Sequence, residues 1–248
     1  MRKNIASTSD WKNTQQPANL DLMVRIRAII FDVGGTLIYP ADPIGETYAR
    51  FAKKYRVSLP ADATTHAFHE ALKCSSPRPK GTIPCDGNDR AWWKQVVSRS
   101  LHGNSFTNPA DFDAFFEELY LYYAKPEAWG LYPEAMEVLE ALRDHGVELV
   151  VLSNWDARLH QVLDGNGLGE FFSQRFISAE LGWEKPDAAI YRHVAEILHQ
   201  PPTALLSIGD DPRNDVEGPR KAGWQALQIE RPKRDLWTAV RAVDKRSV

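Results

Sequence analysis

The residue with the clearest chemical potential is Asp32, which stands directly after an apolar run. The run Ile26–Phe31 is typical of a buried strand in a parallel sheet, and the glycine turn Val33–Leu37 follows Asp32. Such a turn presents the carboxylate beside backbone amides that no side chain covers, an arrangement able to bind an anion. Alone it indicates little, because aspartate also occupies many tight turns that have no catalytic function.

Two further stretches bring hydrogen-bond donors. The apolar residues 149–152 run into Ser153 and Asn154, whose hydroxyl and amide can donate to an oxyanion, although the same residue types also cap helices. Lys185 stands before Pro186, whose ring restricts the neighbouring backbone and so can hold the ammonium in one place. A solvated loop lysine is the alternative interpretation.

The fourth stretch is a cluster of acids. Asp210, Asp211 and Asp215 follow the apolar run Leu205–Ile208 and Gly209. Carboxylates this close together are costly unless a cation neutralises them. Carboxylate oxygens suit Mg²⁺, which takes one or two of them together with water and a phosphate oxygen. Asp215 could instead cap the helix that it begins.

The elements that must position these side chains alternate between strand and helix from Tyr132 onward. Apolar strand runs and helical periodicities follow one another to Ile229, which predicts an α/β fold with a doubly wound parallel, Rossmann-like sheet. Sheets of this kind place ligands in the crevice beyond the carboxyl ends of their strands. A carboxylate, donors and an acidic cluster that meet there match a phosphoryl-transfer site with a carboxylate nucleophile and Mg²⁺.

A stretch of different character separates the first strand from the others. Between Ile44 and Ala124 the pattern is helical, with an apolar stripe at Phe112, Phe115, Phe116 and Leu119. We interpret it as an inserted helical cap that lies over the crevice. The predicted organisation is a polar N-terminal extension over 1–24, an α/β core over 25–41 and 129–233, a helical cap over 42–128, and a C-terminal tail over 234–248.

Three tryptophans have two possible roles. Trp92 and Trp93 lie in the predicted helix Arg90–Ser100, and Trp155 follows Asn154. Each could stack on an aromatic substrate. Packing in the interior is the more common role of so large a ring.

Composition excludes some classes of partner. The 248 residues are 43% hydrophobic and 25% charged with a net charge of −3, so no basic surface indicates nucleic acid or an anionic membrane. No apolar run reaches the ~18 residues that span a bilayer, and residues 1–21 lack a signal core. Cys74 and Cys85 form no CxxC pattern, and although a bridge between them is an alternative, we expect two free thiols and a cytoplasmic location. The sequence predicts no oligomeric state.

The order of the four stretches resembles motifs I to IV of the haloacid dehalogenase (HAD) superfamily. The matching residues are Asp32-x-x-x-Thr36, Ser153-Asn154, Lys185-Pro186 and Gly209-Asp210-x-x-x-x-Asp215, within a resemblance that covers residues 25–232. The insertion is similar to the C1 cap of subfamily I. Residues 44–48, 92–93, 153–156 and 182–187 further resemble the subgroup typified by animal HAD-like hydrolase domain proteins and an insect rhythmically expressed gene product.

The resemblance implies a Mg²⁺-dependent phosphatase that acts on a small phosphorylated metabolite. Asp32 would attack phosphorus and form an aspartyl-phosphate, while Lys185 balances the charge. The implied phosphate ligands are Gly35, Thr36, Ser153, Asn154 and Lys185. The implied metal ligands are Asp32, Asp210 and the Gly34 carbonyl, with Asp211 and Asp215 orienting the metal shell.

One position departs from the family pattern. Family phosphatases place a second aspartate two residues after the nucleophile, where this chain has Gly34, and that acid protonates the leaving group. Three explanations stay open: a leaving group that needs no proton, an acid from the cap, or a non-catalytic ligand- or protein-binding module. The candidate cap acids are Asp42, His66, His69, Asp86 and Asp89. Dehalogenases of the superfamily also lack the second acid, but a metal-free dehalogenase has no use for Asp210.

Overall fold

The computed structural model describes residues 25–75, 86–101 and 106–244, without the side chains of residues 86–88. Its strands are β1 (Ala28–Phe31), β2 (Ile38–Pro40), β3 (Trp129–Leu131), β4 (Glu148–Ser153), β5 (Gln174–Ile177), β6 (Leu205–Gly209) and β7 (Gln225–Gln228). Its α-helices are α1 (Ile44–Ala52), α2 (Ala61–Cys74), α3 (Asp86–Ser100), α4 (Pro109–Tyr122), α5 (Ala135–Asp144), α6 (Arg158–Gly165), α7 (Ser178–Leu181), α8 (Ala188–Ile197), α9 (Gly218–Lys221) and α10 (Trp237–Asp244).

Strand β1 lies at the centre of a five-stranded parallel sheet with the strand order β5-β4-β1-β6-β7. Every residue of β1 is buried, because helices cover both faces of the sheet and leave no polar side. Ile29 lies opposite Leu149 on β4 and Leu206 on β6. The predicted doubly wound parallel sheet is therefore confirmed.

The strand order brings the carboxyl ends of β1, β4 and β6 together. The chain passes from β1 to β4 on one side and later to β6 on the other, so β1 is the point at which the winding of the sheet reverses. Ligands of such sheets bind at this reversal, outside the strand ends. The polar residues at these three ends are Asp32, Ser153 and Asp210.

Alternate residues of β1 belong to two hydrophobic layers. Ile29 and Phe31 pack with α5, α6 and α10 on one face of the sheet. Ala28 and Ile30 pack with α8 on the other face. This division follows from the period of two in a strand, which sends successive side chains to opposite faces.

The inserted helices α1 to α4 build a hydrophobic cluster of their own. Phe115, Phe116 and Leu119 from the predicted stripe are buried in it. Trp92 and Trp93 pack against the same cluster, which confirms the interior role expected of them. The helical insertion is thus confirmed as a separately packed layer.

A short antiparallel ribbon connects the insertion to the sheet. Strands β2 and β3 pair with Ile38 opposite Leu131, so the chain leaves and returns side by side. No local pattern predicts this pair, because three residues are too few to show an alternation of apolar and polar side chains. The ribbon lies next to the predicted cap limits at residues 42 and 128, which stay a prediction.

The C-terminal segment corrects one expectation. Residues 234–248 were predicted to be a tail, but Trp237–Asp244 forms helix α10. The apolar residues of this helix and the residue before it lie at i, i+3, i+4 and i+7, the spacing of a helical stripe, and are buried against the α5 face of the sheet. These residues are Leu236, Ala239, Val240 and Val243.

The predictions on the N-terminal extension, the two cysteines and the location of the protein concern residues that the structure describes only in part. Residues 1–24 and Cys85 lie outside the described residues, whereas Cys74 is exposed and free. Among the described helices, none combines the length and the apolar character needed to cross a membrane. The polar extension and the cytoplasmic location stay predictions.

Candidate active site

Asp32 is held at the end of β1 by the two neighbouring strands. Its backbone N–H donates to the Ile208 carbonyl on β6 at 2.9 Å, which continues the sheet ladder one residue past β1. Its side-chain oxygen Oδ1 accepts hydrogen bonds from Ser153 Oγ at 3.0 Å and from Lys185 Nζ at 2.9 Å. The structure therefore joins three residues that the sequence places far apart.

Lys185 bridges two carboxylates. Its ammonium donates to Asp215 Oδ1 at 2.6 Å as well as to Asp32, and the residue is only 5% exposed. Burial by itself disfavours the charged form, but the two carboxylates outweigh it and raise the pKa of Lys185 above its ordinary value. The lysine therefore stays charged, and the alternative of a solvated loop lysine is wrong.

Asn154 supports Lys185 through its side-chain amide. Its Oδ1 accepts from the Lys185 backbone N–H at 2.7 Å, and its Nδ2 donates to the Lys185 carbonyl at 2.8 Å. The family resemblance implies a phosphate ligand at this position. In the structure both ends of the amide instead fix the backbone that carries the ammonium.

Asp210 is oriented by the turn that follows Asp32. Thr36, which is fully buried, donates its hydroxyl to Asp210 Oδ1 at 3.0 Å, so its side chain holds a carboxylate where the resemblance implies a phosphate. Gly35 has φ +79° and lies so close that a Cβ there would be 2.6 Å from Asp210 Oδ2. Partial burial and repulsion from Asp32 raise the pKa of Asp210 to about 6, although part of the residue faces solvent.

Asp215 lies behind the exposed part of the site. It is 2% exposed, and its Oδ2 accepts from the Asp211 backbone N–H at 3.1 Å. Burial and the Asp32 charge raise the pKa of Asp215 above its ordinary value. The alternative that Asp215 caps the helix is wrong, because Asp211 is the cap: its side chain accepts from the N–H groups of Arg213 and Asn214 at 2.8 and 2.7 Å.

The three carboxylates fit a divalent cation. Asp32, Asp210 and Asp215 each offer an oxygen within 4.8 Å of the others. Lys185 supplies one positive charge against their three negative charges, so the ionised group keeps an excess of two negative charges. Hard carboxylate oxygens with an excess of this size suit an ion such as Mg²⁺. The absence of a side chain at Gly35 leaves Asp210 the room to take part.

Trp155 covers the position at which the family acid would stand. The residue is 9% exposed, and its ring lies 4.8 Å from that of Trp129 between centroids. A Cβ added at Gly34 would lie 3.2 Å from the Trp155 ring carbon Cζ3. The interior role predicted for Trp155 is confirmed, and this ring forms an apolar wall beside Gly34.

The candidate cap acids occupy different environments. Asp42 pairs with Arg50 at 2.7 Å on the surface, and His66 and His69 are exposed on α2. Asp89 is buried at 3% exposure on α3. The side chain of Asp86 lies outside the described residues.

Arg231 fastens the turn after Asp32 from a segment outside the four motifs. Its guanidinium donates to the carbonyls of Gly35 at 3.2 Å and Thr36 at 3.0 Å, and it pairs with Glu134 at 2.8 Å. It also lies 3.5 Å from the ring centroid of Tyr132. Sequence reasoning missed this residue, because an arginine 195 positions from its partner shows no pattern.

The fold and the acidic crevice define an α/β protein of the haloacid dehalogenase type, and sequence comparison agrees. A family model described as "Hydrolase: haloacid dehalogenase-like hydrolase" matches residues 26–223, so the chain belongs to this family. The human "Haloacid dehalogenase-like hydrolase domain-containing protein 3" is 30% identical over 210 residues, which is 84% of either chain. The expected relationship to animal HAD-like proteins is confirmed.

Two other similar proteins are named for different reactions, one as a phosphatase and one as a dehalogenase. A phosphoserine phosphatase of Thermus thermophilus is 36% identical over 120 residues, 48% of this chain and 45% of that protein. A solved structure of a dehalogenase covers 84% of this chain and 86% of its own, with a TM-score of 0.65 and 23% identity. At that identity the structural likeness shows the fold alone.

Gly35→Ala is expected to weaken the binding of a divalent metal. The new methyl group would lie 2.6 Å from Asp210 Oδ2, so the carboxylate must move aside. Disturbing the groups that orient metal ligands typically costs about 10–100-fold in affinity. Calorimetric titration with Mg²⁺ measures the loss.

Gly146→Ala is the matched control. Gly146 also has a positive φ, +70°, but nothing lies within 4 Å of its Cβ position. Both variants should lose about 1–3 kcal/mol of stability from backbone strain, and only Gly35→Ala should lose Mg²⁺ affinity. Equal affinities in the two variants would contradict the placing of Asp210 at the metal.

Proposed function

We propose that this member of the hydrolase family is a Mg²⁺-dependent phosphatase that acts on a small phosphorylated metabolite through an aspartyl-phosphate on Asp32. The observation that carries the proposal is the set of contacts around Asp32: Ser153 and Lys185 donate to it, and Asp210 and Asp215 lie within 4.8 Å. A nucleophilic carboxylate, donors for phosphoryl oxygens and a cation site are the parts that phosphoryl transfer needs.

The contacts of Asp32 indicate which of its oxygens reacts. Ser153 and Lys185 both reach Oδ1, while Oδ2 accepts no hydrogen bond from the described residues. Oδ2 is therefore the oxygen that attacks phosphorus, as the bond from phosphorus to the leaving oxygen breaks. Water then cleaves the aspartyl-phosphate, which releases inorganic phosphate and restores the carboxylate.

Lys185 and Ser153 have a second task once the substrate binds. The ammonium and the hydroxyl lie beside the attacking carboxylate, where they can also donate to the phosphoryl oxygens. Asp32, Asp210 and the Gly34 carbonyl would hold Mg²⁺, with Asp215 behind them. The cation supplies neutralisation of charge between the carboxylates and the phosphoryl group.

The side of the site that faces the leaving group supports hydrolysis of a restricted range of phosphate esters. Gly34 has no side chain to donate a proton, and the Trp155 ring lies where one would project. General acid–base help is typically worth about 10²–10⁴ in rate. We therefore expect slow hydrolysis of alkyl phosphates and faster hydrolysis of aryl or acyl phosphates, whose leaving groups depart as stable anions.

Two other candidate functions, a dehalogenase and a non-catalytic binding module, can be distinguished from the phosphatase by experiment. A dehalogenase would attack carbon with Asp32 and keep its activity when Mg²⁺ is chelated, whereas the phosphatase would lose it. A non-catalytic binding module would form no covalent bond to Asp32. The excess negative charge at Asp32, Asp210 and Asp215 supports a cation-dependent reaction over a metal-free dehalogenase, and the experiment below separates it from a non-catalytic module.

A crystal structure of the protein with Mg²⁺ and beryllium fluoride tests the proposed function. Beryllium fluoride takes the place of a phosphoryl group on a carboxylate, and we expect it bonded to an oxygen of Asp32. Asp32→Asn is the control and should show no adduct under the same conditions. An unmodified Asp32 in the wild-type crystals would contradict the proposed aspartyl-phosphate mechanism.

Gly34→Asp tests whether the missing acid limits the rate. Because the new side chain can donate a proton, its kcat on an alkyl phosphate should exceed that of Gly34→Ala by about 10² or more. Gly34→Ala makes the same Cβ contact with Trp155, at 3.2 Å, and so controls for any shift of the ring. Equal rates in two folded variants would show that the missing acid is not what limits the rate.

A further inference from the structure

Asp156 connects the loop after β4 to the cap. It is buried at 2% exposure, three residues beyond the phosphate-binding candidate Ser153. Its Oδ2 accepts from the indole N–H of Trp93 on α3 at 2.8 Å. A carboxylate of the sheet layer is therefore bonded to a side chain of the inserted helices.

Arg158 completes the connection. Its guanidinium binds both oxygens of Asp156, at 2.8 Å from Nε and 2.7 Å from Nη2. Its Nη1 donates to the Tyr120 carbonyl on α4 at 2.9 Å, and its central carbon lies 3.6 Å from the centroid of the Tyr120 ring. We call Trp93, Tyr120, Asp156 and Arg158 the cap joint, since they tie α3 and α4 to the loop.

The charges of the cap joint depend on all of its members. Burial would raise the pKa of Asp156, but the hydrogen bonds and the charge of Arg158 outweigh burial and hold this pKa below its ordinary value. A buried ion pair is favourable only when its remaining donors and acceptors also find partners. Trp93 and Tyr120 supply those partners, so the pair is satisfied in one position of the cap.

The segment between the cap joint and Ser153 is fixed by hydrogen bonds. The Asn154 amide is fixed at both ends by the backbone of Lys185. The Trp155 carbonyl accepts from Ala179 N–H and Ser178 Oγ, each at 3.1 Å. Both residues between Ser153 and Asp156 are thus anchored by hydrogen bonds, so no free residue separates the cap joint from Ser153.

We propose that the cap joint couples the phosphoryl site to the cap, so that occupation of Asp32 tightens α3 and α4 over the substrate. Trp93, Asp156 and Arg158 are then positioning residues, which govern binding of the leaving-group part of the substrate without touching phosphorus. The proposal rests on the proposed function, because it requires an adduct at Asp32. It also assigns a role to Trp93 and Asp156, which the catalytic mechanism leaves unused.

Hydrogen exchange of the full-length protein tests the coupling without any need for turnover. Exchange is compared in Mg²⁺ alone and in Mg²⁺ with beryllium fluoride. In the wild type, the adduct should slow exchange both at residues 153–154 and in α3, by about fivefold or more, the lower end of typical coupling between two sites. In Trp93→Phe, which removes the indole N–H, residues 153–154 should keep their protection and α3 should lose it.

Two further variants separate coupling from simple destabilisation. Trp237→Phe removes an indole from α10, outside the cap joint, and should keep the protection of α3 at a comparable melting temperature. Asp156→Asn, measured if it folds, should behave as Trp93→Phe does. Trp93→Phe alone decides the question if Asp156→Asn fails to fold.

The outcomes distinguish this inference from the proposed function. Protection of residues 153–154 without protection of α3 in the wild type would overturn the coupling and leave the phosphatase intact. Equal protection of α3 in the wild type and Trp93→Phe would overturn it as well. Exchange that is unchanged at every peptide of the wild type would refute the adduct on Asp32, and the coupling would fall with it.

Discussion

The Lys185 ammonium, placed between Asp32 and Asp215, is the interaction on which the rest of the site depends. Two carboxylates this deeply buried would repel each other strongly in the low dielectric of the interior. The sheet supplies one carboxylate from β1 and the other from the turn after β6, and Asn154 fixes the lysine backbone between them. The four motifs are therefore joined in one network of ion pairs and hydrogen bonds around this lysine.

Ionising the buried acids of this network lowers the free energy of unfolding when no metal ion is bound. The pKa of Asp210 is raised to about 6 and that of Asp215 is raised as well, so both acids bind protons more tightly in the folded chain than in the unfolded chain. Their contribution to stability is greatest at low pH and is lost as the pH rises through about 6. At neutral pH burial and repulsion from Asp32 disfavour the charged forms of these two acids, and a divalent cation held between them would relieve that penalty. The protein thus has a lower folding stability because charged carboxylates are placed where the proposed reaction requires them.

The sequence predicted what local patterns encode. Continuous apolar runs predict β1, β4 and β6. The polar residues at their ends predict the position of the crevice, because the carboxyl ends of neighbouring parallel strands lie at the same edge of the sheet. The partners of individual side chains were not encoded locally. Thr36 and Asn154 were recognised as donors, yet their targets, Asp210 and the Lys185 backbone, depend on loop geometry. The roles of Asp156 and Arg231 depend on partners far away along the chain, whereas the apolar stripe of α10 is a local pattern that does predict a helix.

The central claim is that Asp32 and Asp210 share one divalent cation at the end of β1. Anomalous scattering from crystals soaked in Mn²⁺, which takes the place of Mg²⁺ at oxygen sites, tests it most directly. The account predicts a single strong peak in contact with one oxygen of Asp32 and one of Asp210, and loss of that peak in Asp210→Asn. Absence of a peak in the wild type, or a peak that persists unchanged in Asp210→Asn, would contradict it.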